Sequence, residues 1–439
     1  MTKLLAHGLG GSNDLPIPYT YALIGAAWVL TLTFAVVILA WRVPRFDPAH
    51  PGRPLPGRVS AIVDTPAVRW AIAIAALVFW LWVGAAGVFG PQNSRNALPG
   101  TFYVLLWVGL VALSVILGPV WRLVSPLRTV TRLVPGRLYA GLRGYPERWG
   151  YLPAAVGLFA FVWLELASPD PAALPAIRWW LGSYVMVMLV GAVAYGQRWF
   201  ARADPFEVYS MVASRLSPLR RNSAGRLVIG NPFDHLPTLP VRRGTVTVLA
   251  VLLGSTAFDS FSALPQWRGL LDRFADSPWT ACAVKTTGLA LFALIVGLTF
   301  WCAARATGGV DAVRRRLLPG QFAHALIPIV VGYVFAHYLS YLIERGQETV
   351  IRLADPFGLG WNLLGLGGAQ ANYLLSMHPA VGATLKVLCV VFGHIAGVLA
   401  AHDAALRVLP RGHQITGQLT MMLVMVAYTF TGLYLLFGG

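Results

Sequence analysis

Ionisable side chains inside apolar runs are the residues of this chain that could do chemistry. Glu165, Asp259, Lys285, His337 and Lys386 each interrupt a stretch otherwise built from Leu, Val, Ala, Gly and aromatic residues. A titratable group in such a setting is costly unless pairing, hydrogen bonding or function offsets the desolvation. A carboxylate, an imidazole and an ammonium together provide a base, an acid and a fixed cation. Those groups can move a proton, hold a metal ion or stabilise a developing anion.

Their spacing within the runs places them at one depth. At about 1.5 Å rise per residue, Asp259 lies about 14 residues into its run and His337 about 15 into another, roughly 21 Å from one surface. Lys285, Lys386 and Glu165, in runs that cross the other way, come out near the same level. Five ionisable residues from five runs in one layer predict mutual pairing around a cavity, the alternative being a structural ion-pair network. Along the run around His337, Tyr333, His337 and Tyr341 recur every four residues and Glu344 follows three later, so the four lie on one helix face. His337 reads there as a general base or a metal ligand held by tyrosyl hydroxyls, or as a packed histidine with a hydrogen-bond partner. Glu165, Tyr333, Tyr341, Glu344 and Asp355 are the candidate substrate-binding residues.

The elements that position these groups follow from composition. The chain is 57% hydrophobic and 12% charged, about half the charge a water-soluble domain carries. Backbone amides in lipid must bond internally, so the fold class is all-α: a polytopic transmembrane helical bundle of about ten spans in a lipid bilayer. The spans read as 20–41, 70–89, 102–121, 152–167, 179–195, 245–264, 279–303, 322–343, 379–401 and 415–437 within a single helical domain over 20–437, preceded by an extracytoplasmic segment 1–19.

The net charge of +17 would suggest nucleic acid in a soluble protein, but its distribution excludes that partner. Alternate loops hold about twenty-five Lys and Arg on one side and about seven on the other, the bias of the positive-inside rule. Loops 122–149, 197–244 and 304–319 are therefore read as cytoplasmic, loop 344–378 and both termini as extracytoplasmic, and the membrane as a bacterial plasma membrane. The basic segments read as lying on the anionic inner leaflet. Two of them share a pattern, Arg122-Leu123-Val124-Ser125-Pro126-Leu127-Arg128 and Arg215-Leu216-Ser217-Pro218-Leu219-Arg220, as a distant internal duplication would. The three cysteines, 282, 302 and 389, lie in apolar spans without metal-like spacing. No phosphate-binding loop, dinucleotide fingerprint, nucleophile elbow or zincin motif occurs.

The chain resembles a family of actinobacterial multipass membrane proteins labelled fenitrothion hydrolase. The likeness rests on Ala6-His7-Gly8-Leu9 with Asp14-Leu15-Pro16, on Ser255-Thr256-Ala257-Phe258-Asp259-Ser260, on Ala336-His337-Tyr338, on Asp355-Pro356-Phe357-Gly358 and on Gly393-His394-Ile395-Ala396-Gly397, and covers nearly the full length. It implies a signal-like segment ahead of the Ala-His-Gly motif, so an upstream start is expected. It also implies hydrolysis of an organophosphate triester, which needs an activated water and a stabilised phosphoryl oxyanion. His337 and Asp259 would then take the proton or bind a divalent metal ion, with Lys285 or Lys386 on the oxyanion. Two other classes fit the same layer: a transporter or permease binding a small molecule or ion, and a metal or redox protein, to which His7 and the membrane histidines 324, 337, 394 and 402 point.

Overall fold

A helix that must close its own backbone hydrogen bonds in lipid starts wherever a residue can forgo its amide, and proline does so at the first turn. Five of the spans begin in this way. In the computed structural model, which describes residues 14–134, 136–307 and 309–437, the membrane helices are α1 (Tyr19–Ala40), α2 (Pro66–Phe89), α3 (Ala97–Leu117), α4 (Leu152–Leu166), α5 (Leu174–Tyr195), α6 (Thr245–Ser262), α7 (Pro278–Arg305), α8 (Ala312–Ala354), α9 (Pro379–Val408) and α10 (Thr416–Phe437). Nine are long and apolar enough to cross a bilayer. At 15 residues, α4 is short of a hydrocarbon core about 30 Å thick. The protein is thus an integral membrane helical bundle.

At the centre stands α6, with thirteen of its eighteen residues buried, against α4, α7, α8 and α10. Helices α8 and α9 cross at contact distance because glycines line the seam: a Cβ on Gly332 would stand 2.5 Å from the Cys389 carbonyl oxygen, and one on Gly393 2.7 Å from that of Pro328. Two spans contain π turns. Wide π turns occupy Thr101–Gly109 within α3 and Tyr341–Arg345 within α8, and α8 also tightens at Ala323–Ala325. Such turns concentrate at functional sites.

The arginine-rich loops are built structure. Three short antiparallel strands, β1 (Arg53–Pro54), β2 (Leu219–Arg221) and β3 (Leu227–Ile229) in the order β1-β3-β2, join the α1–α2 loop to the 196–244 segment. Within 196–244 the chain re-enters the bundle. Gly196 (φ +62°) reverses it after α5, helix Gln197–Ala203 runs back along α5 with Trp199 over Gly191, and Asp204 meets the Tyr184 hydroxyl, midway along α5, at 3.1 Å. Asp204 then caps helix Pro205–Ala213, its Oδ1 accepting from the Phe206 and Glu207 amides. That helix descends past Trp107 to Ser114, whose hydroxyl lies 2.8 Å from that of Ser210.

The reading of these basic segments as surface-lying does not hold for this hairpin or for Arg128. Arg128 is 3% exposed and grips Glu207 through Nε–Oε2 (2.5 Å) and Nη2–Oε1 (2.7 Å), while Nη1 donates to Gln197 Oε1 at 2.7 Å. The Ser-Pro-Leu-Arg pattern is not a structural repeat either. Ser125 caps a helix at Pro126–Leu133, whereas Ser217 precedes strand β2.

Removing one member of a buried ion pair strands the other charge, while removing both does not. Arg128→Leu and Glu207→Leu are each expected to cost roughly 3–5 kcal/mol, and the double variant to recover most of that loss. Thermal midpoints of the three purified proteins in detergent check this; equal losses in singles and double would refute it.

Candidate functional site

Near the end of α6 away from the arginine-rich loops, Asp259 and Ser260 project from consecutive positions, and the His337 imidazole of α8 fits between them. Its Nε2 lies 2.8 Å from Asp259 Oδ2 and its Nδ1 3.1 Å from Ser260 Oγ. The Tyr338 hydroxyl donates to Asp259 Oδ2 at 2.7 Å, and that of Tyr333 donates to Ser260 Oγ at 3.1 Å with the Gly432 carbonyl of α10 at 3.2 Å. All five residues are buried, His337 and Ser260 fully.

The donor order follows from the valences. An ionised carboxylate accepts only, so a neutral imidazole keeps its hydrogen on Nε2, in contact with the Asp259 carboxylate but outside hydrogen-bond geometry, and accepts at Nδ1 from Ser260. Ser260 Oγ has a second acceptor in reach, the Thr256 carbonyl at 3.2 Å. If the imidazole gains a proton, Nδ1 donates to Ser260 and the serine turns its own hydrogen to Thr256. A protonated imidazole would keep its Nδ1 bond to Ser260, with the Asp259 carboxylate 2.8 Å from Nε2 to balance the added charge.

A second carboxylate adjoins this chain. Glu165, at the end of α4 and buried, interacts electrostatically with Tyr103 of α3, Tyr209 of the re-entrant hairpin, and Tyr338 and Tyr341 of α8. Tyr338 and Tyr341 interact with Asp259 as well, so the two acids share two phenols. Trp107 and Tyr209 stack at 4.7 Å below them, and α4 is held to α7 by the Trp163 indole donating to Thr286 at 2.8 Å.

The remaining residues singled out from the sequence sit elsewhere. Lys386 is buried on α9 and has Asp14, just before α1, as its electrostatic counterpart. Lys285 is half-buried on α7 beside Thr286. Glu344 accepts from the Ser376 amide (2.8 Å) and hydroxyl (2.6 Å), and so ties the 355–378 loop to α8. The π turn at Tyr341–Arg345 places an extra residue in the helical repeat there, where regular spacing had put Glu344 on the Tyr333 face. Asp355 accepts from the Leu359 and Gly360 amides, both at 3.0 Å, and shapes the turn that ends α8. His7 lies outside the described residues. Among those described, no three His, Cys, Asp or Glu side chains form a metal-ligand group. His394 Nδ1 donates to the Val390 carbonyl, and His402 bonds to Gln418 and to the Trp41 carbonyl, so neither faces a second histidine at those nitrogens.

Ser260 and Tyr338 belong to the site although the residue spacing did not single them out. Their signal was adjacency: each is next in sequence to a buried ionisable residue. Tyr103 and Tyr209 carried no such signal, since Tyr209 comes from a segment that reads as a basic loop. No protein-family model, curated protein or solved structure matches the chain. Fold and site define it as a multipass membrane bundle with a sealed cluster of two acids, an imidazole and tyrosines.

A hydrogen bond donated to a charged acceptor contributes about 1.5–3 kcal/mol. Tyr338→Phe is expected to lose that amount in detergent melts and to shift the Asp259 carboxyl band in infrared spectra, the band being assigned with Asp259→Asn. An unmoved band would remove Tyr338 from the site.

Proposed function

We propose that the protein is a proton-coupled permease of a bacterial plasma membrane, with both termini and the polar cluster on the extracytoplasmic side. The observation that carries this reading is the Thr256–Ser260–His337–Asp259 cluster, in which Ser260 can reverse its bond to Nδ1 when the imidazole gains a proton and the Asp259 carboxylate lies 2.8 Å from Nε2. Buried carboxylate–imidazole groups between helices are the usual parts of proton relays. The sealed setting favours a small ion over a bulky substrate at this point, and broken or re-entrant helices beside a mid-membrane site recur in carriers. Tyr338 donates to Asp259 and lies within the electrostatic reach of Glu165, so it stands between the two acids.

A second reading has its own support. Ser260 Oγ, His337 and Asp259 stand in nucleophile–base–acid order, and the resemblance to proteins labelled fenitrothion hydrolase implies triester hydrolysis. In that reaction Ser260 Oγ would attack phosphorus, His337 Nδ1 would take its proton, and an aryl oxide would leave. His337 would pass that proton to the aryl oxide, and the dialkyl phosphoserine triester would then be hydrolysed by water that His337 deprotonates, the proton returning to Ser260 Oγ as the dialkyl phosphate leaves.

Pre-steady-state charge movement after a pH jump, recorded from proteoliposomes on a solid-supported membrane, needs no knowledge of the transported solute. Wild-type protein is expected to give a transient current, and Asp259→Asn and His337→Gln to reduce it at least about tenfold. Currents unchanged in both variants would end the permease reading. Turnover of a chromogenic dialkyl aryl phosphate that is lost in Ser260→Ala would establish the hydrolase instead.

A further inference from the structure

At the arginine-rich end, away from the polar cluster, a groove of about 460 Å³ opens between the segment 139–144 and the end of α5. Its floor is rigid. The Leu142 and Arg143 amides donate to the Val193 and Ala194 carbonyls at the end of α5 (2.8–3.0 Å), and Gly141 (φ +81°) lies so close to Gly196 that a Cβ would meet its nitrogen at 2.4 Å. Tyr139, Tyr195, Arg143 and Arg198 line it.

The charge is one-sided. No Asp or Glu occurs between Gly136 and Pro146 or between Leu174 and Ala203. The nearby Glu147 is already taken by Arg202 (2.7 Å) and Arg242 (3.1 Å). Arg143 and Arg198 are exposed and, among the described residues, neither forms an ion pair within 4.0 Å, Arg198 feeling Glu147 only at longer range. Their guanidinium groups are planar forks suited to a phosphate diester. From the mouth of the groove an apolar stripe runs up α5 into the bilayer: Leu142 (56% exposed), then Val193, Val190 (64%) and Met186 (61%), the α5 positions spaced by three and four.

We infer that this groove is a binding site for an anionic glycerophospholipid, with its phosphate between Arg143 and Arg198, its headgroup on the tyrosines and an acyl chain along the Met186–Val193 stripe. A free phosphate would use the arginines alone, whereas a lipid uses both halves of the site. The tyrosines belong at such a position, since they are enriched at membrane–water interfaces, and basic pockets on membrane helices are where anionic headgroups collect.

Native mass spectrometry of the full chain, released from mixed micelles of phosphatidylglycerol and phosphatidylcholine, tests it. One tightly retained phosphatidylglycerol per chain is expected for wild type, with a preference over phosphatidylcholine that Arg143→Ala/Arg198→Ala lowers at least about fivefold. Arg268→Ala/Arg273→Ala, at exposed arginines near the other end, should leave it unchanged. Val190→Glu, which breaks the apolar stripe and leaves both arginines, should also weaken retention. Equal retention in the Arg143/Arg198 variant would overturn the inference, as would displacement of the lipid by millimolar inorganic phosphate, which would mark a free-anion site. Thermal midpoints confirm that the exposed substitutions leave the fold intact.

Discussion

The contact between the His337 imidazole and the Asp259 carboxylate, 2.8 Å from Nε2 to Oδ2, is the constraint around which the bundle is arranged. A carboxylate on α6 cannot be left in hydrocarbon, so α6 must turn it toward a partner, and among the described residues α8 supplies one. That single choice fixes the rotation of both helices. With Asp259 directed at α8, Ser260 falls one step around α6 to the other ring nitrogen, and Tyr333 and Tyr338, one turn behind and one residue ahead of His337, close on the same pair. The glycine seam of α8 with α9 then occupies the opposite side, where Gly332 and Gly393 let two backbones touch.

The same rule explains the re-entrant hairpin. Asp204 and Glu207 would be prohibitive in lipid, but the hairpin meets lipid nowhere near them. Asp204 is satisfied by the Trp121 indole, the Tyr184 hydroxyl and the amides of its own helix, and Glu207 by both edges of the Arg128 guanidinium. The half-helices Gln197–Ala203 and Pro205–Ala213 therefore pack against the short α4, which on its own is too brief to cross the membrane. Their position also brings the Tyr209 phenol up to Glu165 from the arginine-rich side.

What the sequence disclosed and what it withheld divide along a physical line. Apolar length and arginine asymmetry report how a segment partitions between lipid and water, so all ten helices were legible, with α8 extending well past both ends of the run 322–343. Depth counted along each run was enough to bring Asp259 and His337 to one level, and they are in contact. Depth says nothing about rotation, however. Lys386 shares the level yet faces Asp14, and Glu344 was assigned to a face that a π turn does not preserve. The hairpin 197–213 was hidden for a different reason. Its buried charges lower its hydropathy to that of a loop, and only pairing with Arg128, more than sixty residues away, makes its burial affordable.

The two wide turns lie beside the polar cluster. The turn in α3 carries Tyr103 and Trp107, the one in α8 begins at Tyr341, and the helices touch there, with Gly346 against Val104 and Gly109 against Leu342. A π turn holds one residue more than the α repeat needs, so releasing it moves the following side chains around the axis by about 100° without breaking the helix. Passing such a turn along α8 would carry Tyr341 away from Glu165 and Asp259 while leaving the His337–Asp259 contact in place. Glu344 lies inside the turn itself, so the loop held to it by Ser376 is anchored on that same turn.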